Sequence, residues 1–217
     1  MTTRVVLASR NVHKVEEMDR ILADAGLHVE VVGIAAFDGV AEIPEVPETE
    51  ASFEGNALLK ARAVCAATGV PAVADDSGLC VDALNGMPGI LSARWSGGLV
   101  EGRSIDVANL QLVLAQLSDT PDERLAAQFR CAVSIVLPDG REATVHGEMR
   151  GRIVREPRGS NGFGYDPIFV PEGEARTSAE LTNEEKDAIS HRGNALRALV
   201  PVLRDLLPAE DSSTRSA

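Results

Sequence analysis

The first third of the chain alternates short apolar runs with amphipathic segments. The apolar run at residues 4–8 predicts a strand, and apolar positions at helical spacing over 15–25 predict a helix that Gly26 stops. A second strand is predicted over 28–33. Residues 38–50 carry five acidic side chains and two prolines, which predict an exposed loop.

A second helix is predicted to begin after Ser52, whose hydroxyl is a common N-cap, and to end near Gly69. The apolar positions that this helix is expected to bury are Ala57, Leu58, Ala61, Val64 and Cys65. The short apolar run 71–74 then predicts a strand that ends at Asp75-Asp76-Ser77-Gly78.

The middle of the chain predicts a helix followed by a hairpin. Apolar residues over 110–117 have helical spacing, and alternation over 129–137 predicts a half-buried strand. A turn at 138–140 then returns the chain antiparallel over 142–154. The sheet is therefore expected to be mixed rather than wholly parallel.

The C-terminal part of the chain predicts further helix and then a tail. Thr182 and Glu185 have capping-box spacing, and apolar positions over 195–203 predict a final amphipathic helix. Because no repeat or low-complexity linker interrupts the pattern, we predict one domain over 1–207. The polar residues 208–217 predict a disordered tail.

Composition excludes several classes of function. The chain of 217 residues has a formal net charge of -12, which repels nucleic acid and anionic membrane surfaces. Its three cysteines lack CxxC spacing and indicate neither a disulfide framework nor a zinc site. No stretch has the length of a signal-peptide core or a membrane span. A cytoplasmic protein with any phosphate site confined to a local region is expected.

Two segments near predicted strand ends carry groups that bind phosphate or metal. Backbone N–H groups and a lysine ammonium can bind phosphate oxygens where Ser9, Arg10, Asn11, Val12, His13 and Lys14 connect strand to helix. The alternative is that Ser9 or Asn11 only caps the helix and Lys14 is solvated. Adjacent carboxylates at Asp75 and Asp76 repel each other, which a divalent cation such as Mg2+ would relieve; a plain turn is the alternative.

One lysine accompanies these carboxylates on the predicted second helix. Lys60 follows Asn56 by four residues, so the two side chains share one helix face. A solvated lysine on an amphipathic helix is the alternative.

Two later segments are suited to a nucleotide base. Glycines over 159–167 let the backbone approach a ligand, while Phe163 can stack on a base and Asp166 can accept hydrogen bonds from it. A plain surface loop is the alternative. Lys186, His191 and Arg192 place three potentially cationic groups within seven residues, which indicates an anionic or keto-rich ligand; compensation of a helix dipole is the alternative.

Taken together, these segments resemble the inosine triphosphate pyrophosphatase family, which acts on non-canonical purine nucleoside triphosphates. The matching strings, in order, are Ser-x-Asn-x-x-Lys at 9–14, Phe-Glu-Gly-Asn-Ala-Leu-Leu-Lys-Ala-Arg at 53–62, Asp-Asp-Ser-Gly-Leu at 75–79, Pro-Gly-Ile at 88–90, Ser-Ala-Arg at 92–94, Gly-Phe-Gly-Tyr-Asp-Pro at 162–167, Glu-Lys at 185–186 and Ser-His-Arg at 190–192. Each string is weak alone, and their common order is specific.

The resemblance implies an α/β fold with two lobes around a long mixed twisted sheet, the nucleotide in a groove between the lobes, and a homodimer. It implies Mg2+-dependent hydrolysis of dITP, ITP and XTP to the nucleoside monophosphate and pyrophosphate. The triphosphate would be held by residues 9–14, with Ser77 and Lys60 on phosphate oxygens.

The resemblance also implies individual roles. Asp76 would be the catalytic acid or base, assisted by Lys60, and would bind Mg2+ together with Asp75 and Glu48; Glu50 is the alternative to Glu48. The base pocket would be formed by Phe163, Gly164, Tyr165, Asp166, Lys186, His191 and Arg192.

Four other functions fit parts of the sequence. A nucleotide kinase is disfavoured because no GxxxxGK[ST] string is present, and a phosphatase would release orthophosphate instead of pyrophosphate. A non-catalytic nucleotide or RNA-binding module is opposed, for RNA, by the charge of -12. A Maf-type nucleotide pyrophosphatase is related in chemistry, but its characteristic strings differ from those above.

Overall fold

The computed structural model describes residues 3–38, 46–100 and 102–207. Part of the predicted acidic loop and the whole predicted tail lie outside these ranges. The chain divides into two compact units. Among the described residues, the first unit contains those up to 76, 132–146 and 195–207, and the second contains those in 77–131 and 147–194. No helix in the described part is long and apolar enough to cross a membrane.

The first unit begins with the predicted strand, helix and strand. These are β1 at Thr3–Leu7, α1 at Val12–Asp24 and β2 at Val29–Gly33. Strand β1 pairs parallel with β2, and on its other side it pairs parallel with β3 at Ala72–Val81. The core between these elements contains the buried side chains of Val6, Ala61, Val64, Cys65, Ala72, Ala74 and Val136.

Helix α2, at Phe53–Thr68, begins and ends where the sequence predicts. The Ser52 hydroxyl accepts the Gly55 N–H at 3.0 Å, and Gly69 ends the helix at a φ of 69°, which a side chain would disfavour. The apolar residues predicted to be buried are buried, except that Leu58 is only half-buried. Asn56, a polar residue, is completely buried beside them.

Strand β3 differs from the prediction. The sequence predicts that the strand ends at Asp75, but it continues without interruption through Ala72–Val81. The aspartates therefore lie inside a strand and do not form a turn. The sequence did not predict this part of the strand because charged residues rarely lie inside a strand. They do so here because both carboxylates have partners inside the protein, which are described below.

The predicted hairpin runs from the second unit into the first, to which residues 132–146 belong. Strand β4 at Met87–Pro88 pairs antiparallel with β3, and helix α3 follows at Ile105–Gln116. Strands β5 at Ala126–Val136 and β6 at Glu142–Ile153 are sheet neighbours joined by a short turn, which makes them antiparallel. Alternation fails beyond Cys131, since residues 131–136 are all buried and both strand faces are covered there.

The remaining elements complete the sheet and the helices. Strand β7 at Phe169–Pro171 pairs antiparallel with β6. Helix α4 spans Asn183–Ile189 behind the predicted capping box of Thr182, and α5 spans His191–Leu206. Within the described residues the strands are ordered β2-β1-β3-β5-β6-β7, with β4 on β3, so the predicted mixed sheet is confirmed.

Gly78 allows β3 to pack closely against the segment Gly89–Arg94. A Cβ at Gly78 would lie 2.4 Å from both the Gly89 carbonyl oxygen and the Ser92 Oγ. We expect Gly78→Ala to lower the free energy of unfolding by about 1–3 kcal/mol, since backbone must move to relieve the overlap. Urea unfolding measures this, with Ser77→Ala as the neighbouring control. Equal midpoints for the two variants would contradict the expectation.

Candidate active site

The carboxylates of β3 are presented to opposite faces of the strand. Successive residues of a strand alternate in direction, so Asp75 and Asp76 do not share a partner. Both are at most 9% exposed. Each is paired with a lysine of a different helix, which explains how a strand interior tolerates two adjacent charges.

Lys14 pairs with Asp75. The Lys14 Nζ lies 2.8 Å from each of the two Asp75 carboxylate oxygens. The alternative of a solvated Lys14 is therefore wrong. The Ser9 hydroxyl accepts the Asn11 N–H at 3.1 Å, which shapes the turn that leads into α1.

The rest of this predicted phosphate segment lies at the start of α1. Arg10, Asn11 and Val12 are exposed, and nothing is described of the His13 side chain. Backbone N–H groups in the first turn of a helix lack partners within the helix. This segment therefore retains the chemistry of an anion site.

Asp76 accepts hydrogen bonds from two residues of α2. Asn56 Nδ2 donates to one carboxylate oxygen at 3.1 Å, and Lys60 Nζ donates to the other at 3.1 Å. Because Asn56 and Lys60 are one helical turn apart, they reach the same carboxylate. Lys60 Nζ also donates to Glu48 at 3.0 Å, so one ammonium joins two carboxylates.

Burial and neighbouring charges set the protonation states of Asp76 and Lys60. The pKa of Asp76 is raised from 3.8 to about 6: burial and the nearby Glu48 raise it, and this outweighs the opposing effects of Lys60 and Asn56. For Lys60, burial lowers the pKa, but Asp76 and Glu48 outweigh burial and raise it overall. Lys60 is therefore a fixed cation, and Asp76 changes protonation close to neutral pH.

Of the two glutamates proposed as metal ligands, Glu48 is the one whose carboxylate contacts Lys60. Glu50 is exposed and gives its backbone N–H to the Asn56 side chain at 3.0 Å. Within the described ranges, no group of three His, Cys, Asp or Glu side chains is arranged to hold a metal ion. Two carboxylates flanking one cation, Glu48 and Asp76, still suit Mg2+, which takes one or two carboxylates and completes its shell with water and phosphate.

The glycine-rich loop, residues 159–167, is organised around a buried carboxylate in the second unit. Asp166 is 3% exposed and accepts the Phe163 N–H at 2.9 Å and the Lys186 ammonium at 2.5 Å. A Cβ at Gly162 would lie 2.2 Å from the Asp166 carboxylate, and the φ of 75° also favours glycine. The loop therefore encloses this ion pair tightly.

Two residues of this loop have opposite exposures. Phe163 is 62% exposed, and the Lys186 Nζ lies 5.3 Å from its ring centroid. Tyr165 is buried, and its hydroxyl donates to the Ser92 carbonyl at 2.8 Å. Phe163 is accessible for stacking, while the Tyr165 side chain fixes the loop to the core.

The remaining predicted base-pocket residues lie in the first turn of α5. The His191 ring stacks on Phe129, with centroids 4.9 Å apart and planes 15° apart. Arg192 donates to the Ser77 hydroxyl at 3.4 Å. Both residues also directly follow the C-terminus of α4 at Ile189, so the alternative of compensation of a helix dipole stays open.

Comparison with known proteins agrees with these motifs. The Ham1 family profile matches residues 5–202. This chain belongs to the Ham1 family. A protein of Streptomyces coelicolor named dITP/XTP pyrophosphatase is 58% identical over 205 residues, which are 94% of this chain and 99% of that protein.

Solved structures of the Ham1 family have the same fold. The nucleoside-triphosphatase, dITP/XTP pyrophosphatase, from Mycobacterium abscessus has a TM-score of 0.76 at 57% identity, covering 93% of this chain and 100% of that chain. A HAM1 protein from Coxiella burnetii has a TM-score of 0.83 at 41% identity, covering 94% and 100%. The α/β fold inferred from the sequence strings is therefore confirmed.

Two polar residues of this Ham1 family member were missed as site components. Asn56 was noted only as a neighbour of Lys60, although it is the second donor to Asp76. Asp106, in the first turn of α3, accepts the Gly164 N–H at 3.1 Å. The signal for Asn56 was a polar residue among the apolar positions of a helix, whereas nothing local distinguishes Asp106 from a helix-start acid.

Proposed function

We propose that this protein hydrolyses non-canonical purine nucleoside triphosphates, dITP, ITP and XTP, to the nucleoside monophosphate and pyrophosphate with Mg2+. The observation that carries the proposal is the buried Asp76 carboxylate, held by Asn56 and Lys60 with a pKa near 6. A general base works best when its pKa is near the working pH. The family membership and the names of the relatives support the same reaction.

The described side chains of the first unit account for the chemical requirements. Above pH 6, the ionised Asp76 accepts a proton from the attacking water. Asn56 and Lys60 fix the direction of its carboxylate, so no reorganisation is needed during reaction. The ammonium groups of Lys14 and Lys60 and the N-terminal N–H groups of α1 offset negative charge on the phosphates.

Mg2+ fits the same group of carboxylates. Glu48 and Asp76 would hold it, with Asp75 close in sequence but paired to Lys14. When bound, the cation offsets the charge that develops on the leaving pyrophosphate. Phosphate oxygens of the substrate would complete its ligand shell.

The glycine-rich loop supplies the chemistry for a 6-keto purine. Phe163 offers an exposed ring for stacking. Asp166 is an acceptor for the N1–H of the base, and Lys186 is a donor for its 6-keto oxygen. Adenine has an amino group and an unprotonated N1 at these positions. The Lys186 donor would therefore face a donor, and the Asp166 acceptor would face an acceptor. Buried unpaired polar groups cost about 1–3 kcal/mol each, which disfavours ATP.

Product analysis tests the proposed reaction. Purified protein with Mg2+ is incubated separately with dITP, XTP, GTP and ATP, and pyrophosphate and orthophosphate are quantified. We expect pyrophosphate from dITP and XTP, little product from ATP, whose adenine lacks the 6-keto oxygen, and no turnover after chelation. Orthophosphate as the product would identify a phosphatase, and no product from any nucleotide would reject the enzyme.

We also propose a cytoplasmic homodimer. The buried thiols of Cys65, Cys80 and Cys131 are not joined in disulfides, which suits a reducing compartment. Leu99, Ile105 and Val107 are exposed apolar side chains, which supports a protein contact in the second unit. Sedimentation equilibrium at several concentrations tests the dimer, and a single monomer mass would reject it.

A further inference from the structure

Helix α3 makes contacts that the proposed chemistry does not use. Asp106 is half-buried in the first turn of this helix, and its carboxylate accepts the backbone N–H of Gly164 at 3.1 Å. Gly164 lies between Phe163, the exposed ring, and Tyr165, the buried ring. A charged acceptor therefore holds the backbone at the centre of the glycine-rich loop.

The next turn of the same helix holds the other anchor of this loop. Asn109 is 2% exposed, and its Nδ2 donates to the carbonyls of Ser92 and Ala93, both at 3.2 Å. The Ser92 carbonyl also accepts the Tyr165 hydroxyl at 2.8 Å. Helix α3 thus fixes Gly164 directly and fixes Tyr165 through Ser92.

The charge of Asp106 also affects the pKa of the Tyr165 hydroxyl. Burial raises the pKa of the Tyr165 hydroxyl, and the nearby Asp106 carboxylate raises it further. The hydroxyl consequently remains a hydrogen-bond donor to Ser92 across the working pH range. The Gly164 N–H to Asp106 and the Tyr165 hydroxyl to Ser92 are therefore the two hydrogen bonds that anchor the loop to α3 and its neighbour.

The conformation of this loop needs such anchors. Gly162 and Gly164 both have positive φ, at 75° and 62°. Glycines gain the most backbone freedom when contacts are lost, so the loop would sample many conformations without fixed points. Phe163 lies between the two glycines and is 62% exposed, with the Lys186 Nζ 5.3 Å from its ring centroid, so most of its ring is not packed against the protein.

We propose that Asp106 is a positioning residue that, through its bond to the Gly164 N–H, holds the glycine-rich loop in the conformation that presents Phe163 and Asp166 to the purine base. The expected effect on KM rests on the proposed function, whereas the expected effect on the loop conformation rests on the geometry alone. Asp106 acts on the base through the loop and takes no part in the chemical step. Its loss should therefore affect substrate binding more than turnover.

The experiment compares Asp106→Ala, which removes the acceptor, with Asp106→Asn, whose amide oxygen can still accept the N–H. Glu54→Ala is the matched control, since Glu54 is an exposed acid in the first turn of α2. We expect Asp106→Ala to raise KM for dITP about tenfold with kcat changed less than about threefold. Asp106→Asn should recover most of the binding, and Glu54→Ala should match the wild type.

Amide hydrogen exchange of Gly164 in the ligand-free protein separates this inference from the proposed function. We expect exchange to be about tenfold faster in Asp106→Ala than in the other two variants. Faster exchange without any pyrophosphatase activity in the wild type would support the positioning role and reject the proposed function. Unchanged exchange, or equal KM effects of the Ala and Asn variants, would overturn the positioning role.

Discussion

Replacing Asp76 by Asn should abolish turnover while making the metal-free protein more stable. Loss of the general base is expected to lower kcat for dITP about 10³-fold. Raising a carboxyl pKa from 3.8 to about 6 corresponds to about 3 kcal/mol of unfavourable free energy when the group is ionised. This figure already includes the attraction of Lys60. The Asn amide has one acceptor oxygen for the two donors, Asn56 and Lys60, so its NH2 group would face one of them, and we expect a net gain of about 1 kcal/mol at pH 7.5.

The pH dependence of this gain follows from the direction of the pKa change. Below about pH 3, Asp76 is protonated in both folded and unfolded chains, so it contributes no difference. As pH rises from about 4 to 6, the unfolded chain ionises first, and the wild type loses stability relative to Asp76→Asn. Above pH 6 the difference is complete.

Urea unfolding at pH 4 and pH 7.5 in the presence of a chelator measures both effects. Asp75→Asn is the control, because both oxygens of Asp75 contact Lys14, and this variant should gain no stability. Added Mg2+ should raise the unfolding midpoint of the wild type but not of Asp76→Asn. A less stable Asp76→Asn at pH 7.5, or one that keeps a tenth of wild-type turnover, would be inconsistent with this role.

Replacing Lys186 by Met should destabilise the protein and weaken its choice of base. The Asp166 carboxylate would remain buried without its cation, which we expect to cost about 3 kcal/mol in free energy of unfolding. The ratio of kcat/KM for dITP over dATP should fall about tenfold to a hundredfold, since the donor to the 6-keto oxygen is removed.

The double variant Lys186→Met with Asp166→Asn separates the two effects. It should recover most of the lost stability, because no unpaired charge remains buried, but it should not recover the choice of base. Arg176→Met is the matched control: Arg176 precedes α4 and pairs with Glu185 of that helix at a half-exposed position, so its loss should cost less than about 1 kcal/mol. Equal destabilisation by Lys186→Met and Arg176→Met would show that burial of the Asp166 pair is unimportant.

The order of helices and strands followed from the sequence because each is marked locally. Ser52 and Gly69 bound α2 with side-chain and backbone capping, and Thr182 starts α4 in the same way. Strand β3 was cut short because a strand interior was not expected to contain Asp75 and Asp76. Only their pairing with lysines that are distant in sequence makes that position possible, and no local pattern reveals such pairing.

The ordered sequence strings located most residues of the site, but they did not reveal the contacts between those residues. The strings located Lys60 and Asp166, but they did not show that Lys60 joins Glu48 to Asp76 or that Asp166 is enclosed by Gly162 and Lys186. These facts depend on contacts between distant segments. Burial decides the pKa of Asp76, and burial is a property of the folded chain.

The interleaving of the two units has a consequence for synthesis on the ribosome. The chain leaves the first unit after residue 76 and returns to it for good only after residue 194. Helix α5, whose Leu196, Leu199 and Leu203 are buried, is therefore the last part of the first unit to emerge. At a synthesis rate of about 5–20 residues per second, that helix emerges on the order of 10 s after β1 and β3. The unit that begins first is completed last, and a nascent chain needs protection of its apolar surface during this interval.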